Sequence, residues 1–143
     1  MKLSPPYNPI TVVLFILLGA ATAHADPIGV WRAEDGAHIR VAKCGPALCA
    51  TIVQARSAVD PETGGPWTDK HNPDPALRGR SQIGVAVLSG MVPDGPGRWS
   101  GQLYNVDNGN TYQGHLLDVN PQTVRIEGCF LGICGGRNLS RLQ

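Results

Sequence analysis

The chain has 143 residues, of which 42% are apolar and 16% are charged, with 12 lysines and arginines against 11 aspartates and glutamates. This length suits one domain, and the even charge balance gives no sign of the basic footprint that is typical of nucleic-acid binding. Eighteen glycines, 12 prolines and 6% aromatic residues indicate many short elements joined by tight turns, and they argue against a helical bundle.

Residues 1–25 have the layout of a secretory signal peptide. Lys2 gives a basic start, Ile10 to Ala21 is an apolar run, and Ala23-His24-Ala25 is a small-x-small cleavage motif. The apolar run is shorter than the roughly 20 residues that span a bilayer. We therefore predict cleavage near Ala25 and a single domain over residues 26–143, periplasmic or secreted and without stable membrane insertion. An uncleaved anchor is the alternative.

All four cysteines lie in the predicted mature part, as two Cys-x4-Cys pairs. In an oxidising compartment two disulfides are expected. We predict the local pairing, Cys44–Cys49 and Cys129–Cys134, because glycines in each short loop let the chain fold back. The alternatives are the two other connectivities and a four-cysteine zinc site, which suits the compartment poorly.

Apolar residues in the mature part alternate with period two far more often than they follow helical spacing. Turn signals such as Asp107-Asn108-Gly109 separate eight short strands, the fourth over Ile83–Leu88 and the last over Arg137–Arg141. Ile83–Leu88 is apolar on both faces and is expected to be central. We predict an all-β fold, an eight-stranded up-and-down antiparallel barrel, because closure removes exposed strand edges. Its interior would hold side chains or one small ligand.

One long connection, Arg56 to Ser81, interrupts this series of hairpins. Within it we predict a single helical turn that starts after Asp74, because Asp74 is a good N-cap and Pro75 fits the first helical position. Polar residues on a loop held by a rigid barrel often bind ligands, so this loop is the main candidate for a binding site.

Several motifs together resemble a family of small exported bacterial proteins of unknown function whose fold is a lipocalin-like (calycin) β-barrel. The markers are Gly29-x-Trp31, the two Cys-x4-Cys pairs and, most specific, Asn72-Pro73-Asp74-Pro75-x-Leu77-Arg78. The resemblance covers most of Ile28 to Arg141 and brings no established activity. It implies a structural pair in which Trp31 closes one end of the barrel and Arg141 lies over it, with Arg137 as the alternative partner.

Two groups of residues are candidates for ligand contact, one on the long loop and one inside the barrel. The candidates are Trp67, Asn72, Asp74, Arg78, Tyr104 and Tyr112. Arg78 is the first choice for an anion or carboxylate, because its forked guanidinium suits one. The competing interpretation assigns turn, capping and ion-pair roles to the loop residues and has the tyrosines fill the barrel.

No catalytic motif is present: the sequence contains no Gly-x-Ser-x-Gly elbow, phosphate loop or dinucleotide fingerprint. It indicates no metal and no cofactor. We therefore predict an exported protein that binds a small apolar or amphipathic ligand in the barrel. The alternatives are a cell-envelope module that docks a protein partner and, less favoured, a small hydrolase or isomerase. Whether the barrel contains a cavity stays open at this point.

Overall fold

The computed structural model describes residues 2–4, 19 and 26–143. Most of the predicted signal peptide, with its cleavage site, lies outside the described residues. In chain order the strands are β1 (Gly29–Ala33), β2 (His38–Cys44), β3 (Ala47–Gln54), β4 (Ala86–Pro93), β5 (Arg98–Asn105), β6 (Asn110–Asn120), β7 (Thr123–Phe130) and β8 (Ile133–Arg141). No helix in this part of the chain is long and apolar enough to cross a bilayer.

The strands form a closed barrel in which each strand pairs with the next and β8 pairs with β1. All pairs are antiparallel, so the predicted eight-stranded up-and-down barrel is confirmed. Because strand direction alternates, the connections β1–β2, β3–β4, β5–β6 and β7–β8 share one end, which we call the open end. The other connections lie at the opposite, closed end.

Two predicted strand boundaries are wrong. The sequence predicts β4 over Ile83–Leu88, but the strand runs over Ala86–Pro93. The backbone turns at Gly84, whose φ is 97°, and the Ile83 side chain is 54% exposed, so the start of this segment lies outside the core. β8 begins at Ile133 instead of Arg137, because register with β7 extends the strand through glycines that have low strand propensity by themselves.

The core lies inside the barrel and follows the period-two pattern. Trp31 and Ala33 on β1, Ile39 and Val41 on β2, and Ala50 and Ile52 on β3 are all buried and alternate with residues that are more exposed. Neighbouring side chains on a strand point to opposite faces, so one face of each strand fills the barrel and the other meets solvent.

The closed end is built around Trp31 and Arg141. The indole is fully buried, and its Nε1 donates to the Pro27 carbonyl at 2.8 Å. The Arg141 guanidinium lies 4.1 Å from the ring centroid and donates to the carbonyls of Asp26 and Pro121, each at 2.8 Å. Arg141, not Arg137, is therefore the partner of Trp31. That this pair stabilises the barrel stays a prediction.

The disulfides are Cys44–Cys49 and Cys129–Cys134, as predicted. The first joins β2 to β3 at the closed end, and the second joins β7 to β8 at the open end. Because all four sulfurs are paired, no thiolate remains for a zinc site.

The long connection between β3 and β4 contains one turn of 3-10 helix, Pro75–Leu77. The Asp74 Oδ1 atom accepts from the Ala76 backbone N–H at 3.0 Å, which confirms the predicted N-cap. This connection lies at the open end of the barrel, where it is placed to contribute to a binding site.

Candidate functional site

A cavity of about 360 Å³ lies inside the open end of the barrel. Its apolar walls come from Ala33, Ile39, Ile52, Val87, Leu103 and Ile126. For comparison, an engineered cavity of about 150 Å³ is large enough to bind benzene. The space is therefore suited to a molecule more than twice that size.

A glycine on β8 leaves part of this space unfilled. Gly128 and Gly135 are paired across the two strands, and both line the cavity. A Cβ atom added at Gly135 would meet nothing within 4 Å. The missing side chain of Gly135 therefore accounts for part of the volume, and the question that the sequence left open is answered in favour of a cavity.

Four charged side chains surround the mouth of the cavity, and we call them the rim: Asp35, Arg56, Asp107 and Arg137. Arg56 lies 2.5 Å from Asp107 and 3.8 Å from Asp35. Arg137 lies 2.9 Å from Asp35 and 3.9 Å from Asp107. Positive and negative groups thus alternate around the opening, and their charges cancel.

Arg137 has unused capacity for hydrogen bonding at this mouth. A guanidinium carries five N–H donors, whereas within the described residues Arg137 makes one hydrogen bond, from Nη1 to Asp35 Oδ2. The side chain is about half exposed and lines the cavity. It is therefore placed to donate to the polar group of a bound molecule.

The two candidate tyrosines both line the cavity. The Tyr104 hydroxyl donates to Asp69 Oδ1 at 2.7 Å, and burial together with this carboxylate raises the pKa of Tyr104 to about 12. The Tyr112 hydroxyl oxygen accepts from the side-chain amides of Asn108 and Asn110, at 2.9 and 3.4 Å. Since its oxygen is the acceptor in both bonds, Tyr112 can still donate its proton to a ligand.

The long loop is fastened to the barrel through the buried carboxylate of Asp69. Besides Tyr104, this carboxylate accepts from Asn72 Nδ2 at 2.8 Å and from Arg80 Nε at 2.9 Å. Burial by itself raises the pKa of Asp69, but the hydrogen bonds from Tyr104, Asn72 and Arg80 outweigh it and hold the pKa below its ordinary value. A tyrosine of the cavity wall thus also anchors the loop.

Three of the loop candidates hydrogen-bond within the loop. Asn72 Oδ1 accepts from the Asp74 backbone N–H at 2.9 Å, Asp74 caps the 3-10 turn, and Arg78 Nε donates to the Asn72 carbonyl at 2.8 Å. None of the three lines the cavity. Their direct contact with a ligand stays a prediction.

Trp67 contacts one of the rim residues directly. The Arg56 guanidinium stacks 4.6 Å from the indole centroid, and Trp67 Nε1 donates to Ser57 Oγ at 3.0 Å. Trp67 does not line the cavity, but it supports a rim arginine that does. We therefore expect its effect on a ligand to act through the position of Arg56.

The comparison with known proteins identifies the family. A family model described as "Uncharacterized protein conserved in bacteria (DUF2147)" matches residues 29–141. The chain belongs to this family. No curated protein matches the DUF2147 chain. Its family and barrel agree with the resemblance that the sequence motifs indicate.

A solved structure shows the same fold as this DUF2147 chain. It is protein HP1028 from the human pathogen Helicobacter pylori, which is described as belonging to the lipocalin family. The two chains are 20% identical, the match covers 83% of this chain and 84% of that chain, and the TM-score is 0.69. At this identity the likeness shows the fold alone, a lipocalin-like barrel.

A cluster of Asp94, Arg98, Ser100 and His115 bears on the hydrolase alternative for this DUF2147 chain. The Ser100 hydroxyl lies 2.9 Å from His115 Nδ1, but it donates to Asp94 Oδ2 at 2.5 Å, and this bond is the main cause that lowers the pKa of Asp94. The serine proton is thus directed to the carboxylate and away from the imidazole base that a nucleophile needs. None of the four lines the cavity.

Proposed function

We propose that this protein binds one small apolar or amphipathic molecule inside its barrel, after export to the periplasm or outside the cell. The observation that carries the proposal is the cavity of about 360 Å³ with apolar walls and a charged mouth. Burial of apolar ligand surface contributes about 25 cal/mol per Å². Because strands build the walls, little of this gain is offset by ordering of the protein.

The rim gives an amphipathic ligand a place for its polar group. Arg137 has spare N–H donors at the mouth, and the Tyr112 hydroxyl can donate from the same end of the barrel. A ligand that lies with its apolar part between the walls would bring a carbonyl, hydroxyl or carboxylate oxygen to these donors. The fit therefore favours a molecule with one apolar part and one acceptor at its end.

The two disulfides support the exported location, because such bonds persist in oxidising compartments. Cleavage near Ala25 stays a prediction from the sequence. The alternative of an envelope module that docks a protein partner stays a prediction, and so does the expectation that no cofactor is involved.

A homologous series of 1-alkanols from butanol to dodecanol tests the proposal by calorimetric titration. Each added methylene is expected to tighten binding about fourfold until the cavity is full, after which affinity stops rising. A chain length beyond which affinity stops rising, which we call the break, indicates a binding space of fixed length. Affinity for an exposed surface would instead keep rising with chain length.

The variant Gly135→Leu tests whether the break in the alkanol series is set by the cavity in the barrel. Its side chain enters open space in the cavity, so the break should move to a shorter alkanol. Gly79→Leu is the matched control, since a Cβ there also meets nothing within 4 Å but the residue does not line the cavity. Failure of wild type to bind any alkanol, or an unchanged break in Gly135→Leu, would overturn the proposal.

A further inference from the structure

The turn between β7 and β8 carries a cluster of large exposed apolar side chains, which we call the apolar tip: Phe130, Leu131 and Ile133. They are 66%, 86% and 78% exposed. The only residues of an ionisable type between positions 128 and 136 are the two cysteines, and these are joined in a disulfide. The tip is thus a fixed, uncharged projection. Large apolar side chains are unfavourable at a position that contacts only water.

The backbone of the tip makes the choice of side chain more unusual. Leu131 has a φ of 49°, and it is the one non-glycine residue with positive φ in the described part of the chain. This left-handed conformation favours glycine, asparagine or aspartate and costs energy for a bulky residue. A leucine that is both strained and 86% exposed indicates that its apolar surface serves a contact outside the barrel.

The tip also lies beside the mouth of the cavity. It connects β7 and β8 at the open end, and Gly128, Gly135 and Arg137 on the same two strands line the cavity. A surface that covers the tip is therefore brought next to the opening through which a ligand enters or leaves.

We propose that the apolar tip docks on a lipid surface and presents the cavity mouth to it. A projecting turn does not form a groove that could receive a peptide, but it can insert between lipid headgroups. The choice of a lipid surface also rests on the proposed function. Because apolar ligands collect in a bilayer, a ligand would pass between membrane and barrel with little exposure to water.

Charge identifies the kind of lipid surface. Residues 26–143 carry 11 acidic side chains and, without Lys2, 11 basic ones, and the four rim charges pair with one another. The net charge of residues 26–143 is therefore zero, and the tip itself carries no charged side chain that would attract anionic headgroups. Docking should depend on insertion of apolar side chains, and neutral phosphatidylcholine should suffice.

Co-sedimentation of the exported protein with phosphatidylcholine vesicles tests this proposal. The test variant is Phe130→Thr/Leu131→Asn/Ile133→Thr, in which threonine suits a strand and asparagine suits the left-handed position, so folding should be retained. We expect wild type to bind the vesicles. Its partition coefficient should not decrease when NaCl is raised from about 0.1 M to about 1 M, because salt screens charge interactions but not apolar insertion. The variant should lose at least about tenfold in partition.

The matched control is Val92→Thr/Val119→Thr, which removes two valines that are 50% and 52% exposed at the closed end of the barrel. It should bind vesicles as wild type does. Alkanol titration of the tip variant should be unchanged, which separates failure of docking from failure of the proposed function. Absence of wild-type binding, equal binding by the tip variant, a need for anionic lipid, or tip-dependent dimerisation in ultracentrifugation would overturn the proposal.

Discussion

Trp31 is the side chain whose loss should affect stability most. It is fully buried, hydrogen-bonded to Pro27 and stacked under Arg141, so Trp31→Ala leaves a large hole at the closed end. We expect the free energy of unfolding to fall by about 3–5 kcal/mol and the melting temperature to fall by at least about 10 °C. Phe130→Ala, which removes an exposed aromatic ring, should change stability by less than about 0.5 kcal/mol. A melting temperature that Trp31→Ala leaves unchanged would contradict the structural role of the pair.

Asp69 should control part of the acid sensitivity of the protein. Its pKa is lower in the folded state than the ordinary value of 3.8, so its contribution to stability is present above pH 3.8 and is lost as the pH falls through the folded-state pKa. Asp69→Asn should therefore show a smaller loss of unfolding free energy between neutral pH and about pH 3.

The same variant should cost about 2 kcal/mol at neutral pH, because charged hydrogen bonds from three groups are weakened. Urea denaturation across this pH range measures both effects, and Glu34→Gln, at an exposed carboxylate, is the control. Parallel pH profiles for wild type and Asp69→Asn would disprove this account of the loop anchor.

The contacts of individual side chains are harder to predict from the sequence than the strands or the barrel. The alternation of residue types places Tyr104 on a strand, and Asp69 is one of several charged residues on a loop. Their hydrogen bond joins positions 35 residues apart, and no local pattern encodes it. A buried carboxylate becomes identifiable only when the three donors around it are known.

The β5–β6 hairpin depends strongly on one glycine at its turn. Gly109 has a φ of 73°, and a Cβ added there would lie 1.8 Å from the His71 carbonyl oxygen. The hairpin therefore packs directly against the backbone of the long loop. Gly109→Ala combines left-handed strain, about 1–2 kcal/mol, with a clash between two backbones.

Gly45→Ala separates these two costs, since Gly45 has a φ of 66° but a Cβ there would meet nothing within 4 Å. We expect Gly45→Ala to lower the free energy of unfolding by about 1–2 kcal/mol and Gly109→Ala to lower it clearly more. Guanidinium denaturation measures the difference. Equal losses would show that the hairpin does not need its close approach to the loop.

At the level of elements, period-two alternation and turn residues predict most strands, and they fail where pairing overrides local preference. Gly135 and Gly136 are weak strand formers, yet both pair with β7 across the barrel. Conversely, the apolar segment that begins at Ile83 reads as a strand but turns at Gly84. Local propensity cannot settle either case, because a partner strand decides both.

For the whole molecule, the argument that exposed edges must be removed predicts the closed barrel correctly. The cavity does not follow from the same argument, because its volume depends on which residues face each other inside. Gly135, which pairs with Gly128 on β7, leaves open space, and a larger residue at position 135 would have filled it. The four rim charges likewise come from separate connections that meet only when the barrel closes.

The most direct test of ligand binding inside the barrel is an NMR measurement of intermolecular nuclear Overhauser effects with bound 1-decanol. The methyl groups of Ile39, Ile52, Val87 and Ile126 line the cavity, and contacts from the alkyl chain to these groups are the predicted result. Contacts only to exposed side chains such as Ile83 or Leu131, with none to the cavity methyl groups, would contradict binding inside the barrel.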